Sequence, residues 1–124
     1  MFLLAVLLTV ALVLETLPSA VVGLSRAKVG LTRLDQLTRL GVLEGRNLWV
    51  VTLLGVLHSV GTACVLIGLD FPAVGVAGAA IEAAIFIWVL YRQVRAGDRG
   101  RALGAYTLFT AMALAVLVVS LLRL

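Results

Sequence analysis

The chain has 124 residues, 63% of them hydrophobic and 13% charged, with a mean hydropathy of +1.20. A soluble domain is roughly 45–50% apolar and about 25% charged. A chain this short has too little interior to hide so much apolar surface, so lipid must solvate much of it. The net charge of +4 sits in short segments between apolar runs, without aromatic interleaving or a nucleic-acid motif. That excludes nucleic acid and points to anionic lipid headgroups at the basic segments.

A membrane span needs about 20 mostly apolar residues at about 1.5 Å rise each. Four stretches qualify, at about 1–24, 48–69, 71–90 and 102–122. They predict an all-α, integral membrane four-helix bundle in a single domain, because runs this long and continuous do not fit barrel strands. The first run holds Glu15 and Pro18. Pro18-Ser19-Ala20 resembles a signal-peptide cleavage site, but no basic residue precedes Arg26, so a retained helix is expected.

After the first run come Arg26, Lys28, Arg33, Arg39 and Arg46. Leu31, Leu34, Leu37 and Leu40 recur at every third position in this segment. It reads either as a short amphipathic helix in the headgroup plane or as a partly ordered basic loop. Asn47 is expected to cap the second span, with Trp49 at the interface. Asp70 is expected to cap the third span, with Pro72 in its first turn. Trp88 and Tyr91 mark its far end. Residues 96–101 form a short polar loop into the fourth span.

Orientation follows from charge. The segments 25–47 and 91–101 carry nine of the ten basic residues, and the opposite side carries only Arg123. The positive-inside rule places both segments in the cytoplasm and both termini outside a cell (plasma) membrane.

An ionisable group near the bilayer centre costs at least about 2.5–3.5 kcal/mol, so each one needs a reason. Glu15, His58 and Glu82 lie on three different spans, each roughly 12–15 Å from the basic end by helical rise. Three such groups at one depth can meet inside the bundle, where a carboxylate beside an imidazole shares a proton. That suits a proton relay, a quinone headgroup or a cationic substrate. The alternative is that each pairs locally and locks the packing.

Neighbouring residues extend a polar face. Thr52, Gly55, His58, Ser59 and Thr62 share one side of the second span by the 3.6-residue period, with Cys64 pointing roughly the other way. Gly75, Ala79 and Ala83 form a small-residue ridge that allows close helix approach. Tyr106, Thr110, Ala113, Leu117 and Ser120 line the fourth span, with Thr62, Tyr106 and Thr110 as supporting polar groups. No metal site is expected: one His and one Cys cannot build one, and HExxH, Walker A and serine-hydrolase motifs are absent. The lone Cys64 reads as a small packing residue.

Three stretches match a known pattern. Residues 20–28, AVVGLSRAK, resemble the end of a first helix with a small residue and glycine followed by lysine. Residues 54–69, LGVLHSVGTACVLIGL, resemble a "GvlE-x-x-G" helix with an "LLxGL" ending. Residues 88–98, WVLYRQVRAGD, resemble a third-helix exit into a basic, glycine-containing loop. In these the chain resembles the DoxX-like family of small four-helix bacterial membrane proteins, with His58 standing where the family has Glu. The resemblance implies an inner-membrane subunit linked to quinone or redox processes and not an enzyme on its own.

Two other functions fit the residues. Four short helices with a first-helix glutamate suit a small proton-coupled multidrug-type transporter using Glu15. A structural or assembly subunit without a site is the third reading. Under each of them a homo-oligomer or larger membrane complex is expected.

Overall fold

The computed structural model describes residues 1–97 and 100–124; Asp98 and Arg99, expected in the polar loop before the fourth span, lie outside the described residues. Among the described residues five α-helices follow one another: α1 (Phe2–Ser25), α2 (Lys28–Thr38), α3 (Leu48–Ile67), α4 (Pro72–Arg95) and α5 (Arg101–Leu122), with a 3-10 turn at Val42–Glu44 between α2 and α3. No strand occurs among the described residues. The four long helices are each apolar enough to cross a membrane, as their composition predicts. α4 runs five residues past the expected end at Leu90, because Arg92 and Arg95 sit well in its last turns, where cations complement the helix dipole. α3 stops at Ile67, two residues early, at Gly68.

α1, α3, α4 and α5 form a closed ring of antiparallel neighbours. α1 packs on α3 and α5, and α4 packs on α3 and α5. Contacts between α1 and α3 run in opposite sense along the two helices, from Gly23 beside Gly55 to Thr16 beside Thr62. Both longer connections, including α2, therefore emerge at one end, called here the loop end. Both chain termini lie at the other.

Two crossings rely on the absence of a side chain. A Cβ on Gly23 would stand 2.6 Å from the Cα of Gly55, so α1 and α3 touch backbone to backbone. A Cβ on Gly78 would stand 2.6 Å from the Cβ of Cys64 and 2.7 Å from the Val65 nitrogen, which draws α4 onto α3. Cys64 thus packs toward α4. The core between the helices is built from Leu12, Val65, Ala79, Phe86, Ala113 and Val116, with Ala83 beside them. Ala79 and Ala83 of the expected ridge belong to it, and Gly75 lies within a Cβ's reach of Ser120 on α5 and Gly68 on α3.

α2 takes the helical one of its two expected forms. Its Leu37 is buried with Ile85 and Val89 of α4, and the Thr38 carbonyl accepts a hydrogen bond from Arg92 Nη2 at 2.8 Å. That carbonyl is one of the four a helix C-terminus leaves without an internal partner, so the guanidinium both satisfies it and complements the helix dipole. Arg39 then closes the helix in the left-handed region. Asn47 stands at the N-cap position of α3, as expected, though its side chain makes no capping hydrogen bond there; the expected cap at Asp70 does not hold. Asn47 itself is left-handed and donates its amide to the Leu40 carbonyl at 2.8 Å, bracing the connection rather than the helix. The cap of α4 falls on Phe71, one residue after Asp70, because Pro72 occupies the first helical position and holds its predecessor in extended backbone.

Candidate functional site

His58 comes from the middle of α3 and Glu82 from the middle of α4. Their side chains meet, with Nδ1 of His58 at 2.7 Å from Oε2 of Glu82. Glu82 is fully buried and His58 nearly so. Gly61 makes the room: any side chain there would collide with the Glu82 carboxyl group. The imidazole also stacks obliquely on Phe86, 5.6 Å between ring centres. Phe86 in turn packs on Tyr106 and Phe109 of α5. These rings fix the imidazole plane, so its bond to Glu82 is held by packing as well as by charge.

Glu82 Oε1 has no hydrogen-bond partner among the described residues and lies buried. A carboxyl group half satisfied in apolar surroundings depends on its one strong contact. The His58–Glu82 contact is a short hydrogen bond whose direction is set by the imidazole tautomer.

On its other side His58 lines a cavity of about 240 Å³. α1 contributes Glu15, Pro18 and Ser19 to it, α2 contributes Gly30 and Arg33, and α5 contributes Tyr106, with Val22, Leu54 and Val89 among the apolar walls. The cavity lies toward the loop end and α2 lies over it. The Arg33 guanidinium sits 5.6 Å from the centre of the Tyr106 ring, in cation–π geometry. Ser19 is turned back onto α1, donating to the Glu15 carbonyl at 2.9 Å. Pro18 supplies no N–H to its own helix, which leaves a backbone carbonyl one turn earlier without its usual donor.

The three ionisable residues picked out by depth thus come together in two steps. His58 and Glu82 are in direct contact. Glu15 shares the cavity with His58 without a hydrogen bond to either. The supporting residues divide. Tyr106 lines the cavity. Thr62 lies beyond it, donating to Thr16 Oγ1 at 2.7 Å in a buried bridge between α3 and α1. Thr110 is turned onto its own helix, donating to the Tyr106 carbonyl at 2.7 Å. Of the polar face on α3, His58 and Thr62 are buried, while Thr52 accepts from Arg26 Nε at 3.0 Å nearer the loop end.

Arg33 is the participant that sequence reasoning passed over. It lies among the basic residues between the first two spans, and the three-residue leucine spacing in α2 is the available signal that this segment packs on the bundle and aims one arginine at it.

The donors and acceptors around the cavity are few and converge on it, and its walls are otherwise apolar, the usual character of a small-molecule site. It presents one cation, one carboxyl group, a phenol and an imidazole whose second nitrogen is free of protein partners among the described residues. No family model, no curated protein and no solved structure matches the chain significantly.

Proposed function

We propose that the chain is a DoxX-like, multi-pass inner-membrane subunit whose cavity binds a single-ring, quinone-type headgroup and exchanges a proton with it through His58. The observation that carries this reading is the His58–Glu82 pair, with one face of its imidazole on a cavity it shares with Glu15, Arg33 and Tyr106.

Size favours one ring. An apolar cavity of about 150 Å³ holds benzene, so about 240 Å³ accommodates one substituted ring and excludes the fused or multiple rings of typical drug cations. Charge favours the same ligand. A lone organic cation would meet Arg33 at the cavity mouth, whereas carbonyl oxygens accept from Arg33, Tyr106 and His58. A bound quinone supplies two-electron, two-proton chemistry. The chain's part is to orient the ring through Arg33 and Tyr106 and to hold a proton at His58, with Glu82 fixing the imidazole's orientation.

The excess of basic residues at the loop end supports a cytoplasmic loop end, with anionic lipids as neighbours.

The test is binding. Wild-type protein is expected to co-purify with quinone, or to take up a short-chain quinone analogue. His58→Ala and Arg33→Leu are each expected to weaken that uptake at least about tenfold, the equivalent of one charge-assisted hydrogen bond. Equal uptake by wild type and both variants would sink the reading. Preferential binding of tetraphenylphosphonium, lost in Glu15→Gln, would favour the transporter, which Glu15 in the cavity wall supports.

A further inference from the structure

Resting on the proton-exchanging site just described, we infer that this site communicates with the loop side of the membrane alone, because a dry apolar layer across the bundle seals it from the other side. Its proton chemistry is therefore scalar: protons are taken from and returned to one aqueous phase, and the chain does not carry them across.

The layer repeats on every span. Along the buried face of α1, Thr9 and Thr16 are separated by Leu12, which is fully buried. On α3, Val65 follows Thr62, and on α5 Ala113 and Val116 lie between Thr110 and Ser120. On α4, Ala79 lies between Gly75 and Glu82, fully buried. Leu12, Val65, Ala79, Ala113 and Val116 all belong to one packed cluster. In the stretches at this level, 10–14, 63–67, 76–81 and 111–119, the single polar side chain is Cys64, a weak donor held against Gly78.

Distance decides the matter. The polar groups on the site's side end at the Thr16–Thr62 bridge. Those of the far end begin at Thr9 and Ser120, which flank a gap with no room for water, beside Gly68 and Arg123. Thr9 and Thr16 are seven residues apart, about 10 Å of helix, and one link of a proton wire spans roughly 3 Å. Two or more ordered waters would have to sit among five apolar side chains with no polar group to hold them, and such cavities stay dry. Glu82, with its second oxygen facing Gly61, is thus the end of the path.

Two measurements test this on the full-length chain. In proteoliposomes under a pH gradient, wild-type protein is expected to leave the proton flux at the level of protein-free liposomes. Leu12→Thr with Val65→Thr, which puts hydroxyls into the layer, is expected to raise it several-fold. Wild-type flux well above that baseline and lost in Glu82→Gln would overturn the inference, as would a threonine pair that folds and does not leak. Separately, in a Cys64→Ala background, Ser19→Cys is expected to react with a membrane-impermeant maleimide from the loop side only. Failure of Ser19→Cys to react would overturn the accessible cavity and leave the sealed layer to be judged by the flux; reaction from the far side would overturn the seal.

Discussion

The two ends of this bundle are built from the same four helices, yet only one of them leaves space. At the terminal end, Gly68 and Gly75 bring the end of α3 and the start of α4 into backbone contact, and Arg123, just past α5, reaches across to donate to the Leu69 carbonyl at 2.8 Å. The space left there admits no water. At the loop end, Gly23 and Gly55 again bring α1 against α3, but α5 faces α1 across the cavity with Tyr106 as its one lining residue. α2 fills part of that gap, and the remainder is the cavity. In each end an arginine satisfies carbonyls at a helix C-terminus: Arg123 at the end of α3 and Arg92 at the end of α2. The difference teaches that glycine contacts alone do not make a site. The site arises where α1 is held close to α3 and held apart from α5.

The comparison can be broken most sharply at its boundary, the His58–Glu82 pair. Glu82→Ala leaves a buried imidazole without its partner and is expected to destabilise the protein by about 3–5 kcal/mol, the usual cost of removing one member of a buried charged pair. Denaturant unfolding in detergent measures it. Replacing both, His58→Leu with Glu82→Leu, is expected to recover most of that stability while removing ligand binding, which separates packing from function.

Glycine substitutions probe the two ends next. A Cβ on Gly68 would stand 2.6 Å from the Gly75 nitrogen, and backbone cannot give way cheaply. Gly68→Val is expected to cost about 1–3 kcal/mol. Gly104, near the loop end of α5, has nothing within 4 Å of where its Cβ would be. Gly104→Ala is expected to gain about 0.5–1 kcal/mol through helix propensity alone. Equal effects at both positions would contradict the difference in packing between the ends.

Smaller effects sharpen it. Arg92→Gln removes the tie between α4 and the Thr38 carbonyl. It is expected to cost about 1 kcal/mol overall, while faster hydrogen exchange is confined to α2. Thr62→Val removes the buried bridge to Thr16 and is expected to cost about 0.6 kcal/mol, the average for interhelical hydrogen bonds within membranes. Glu15→Gln, half-buried in the cavity wall, is expected to leave stability within about 0.5 kcal/mol. Its effect belongs in the ligand profile.

Hydropathy and helical period were enough to place the four spans, the shared depth of Glu15, His58 and Glu82, and the inward faces of α3 and α5. These follow from one helix at a time: lipid demands a continuous apolar run, a helix fixes rise and angle, and so a residue's depth and side can be counted. The ends of helices were less legible, because a cap depends on local backbone geometry; Asn47 holds the N-cap position of α3 without a side-chain capping bond, and Asp70 falls one residue before the cap of α4. Which groups touch was a matter for the tertiary structure. Equal depth brings His58 and Glu82 into contact because Gly61 and Gly78 let α4 approach α3. It leaves Glu15 across a cavity because α2 and Tyr106 stand between the remaining walls. Arg33 joins them only through the folding of α2 onto the bundle, a long-range event that no single-helix pattern encodes.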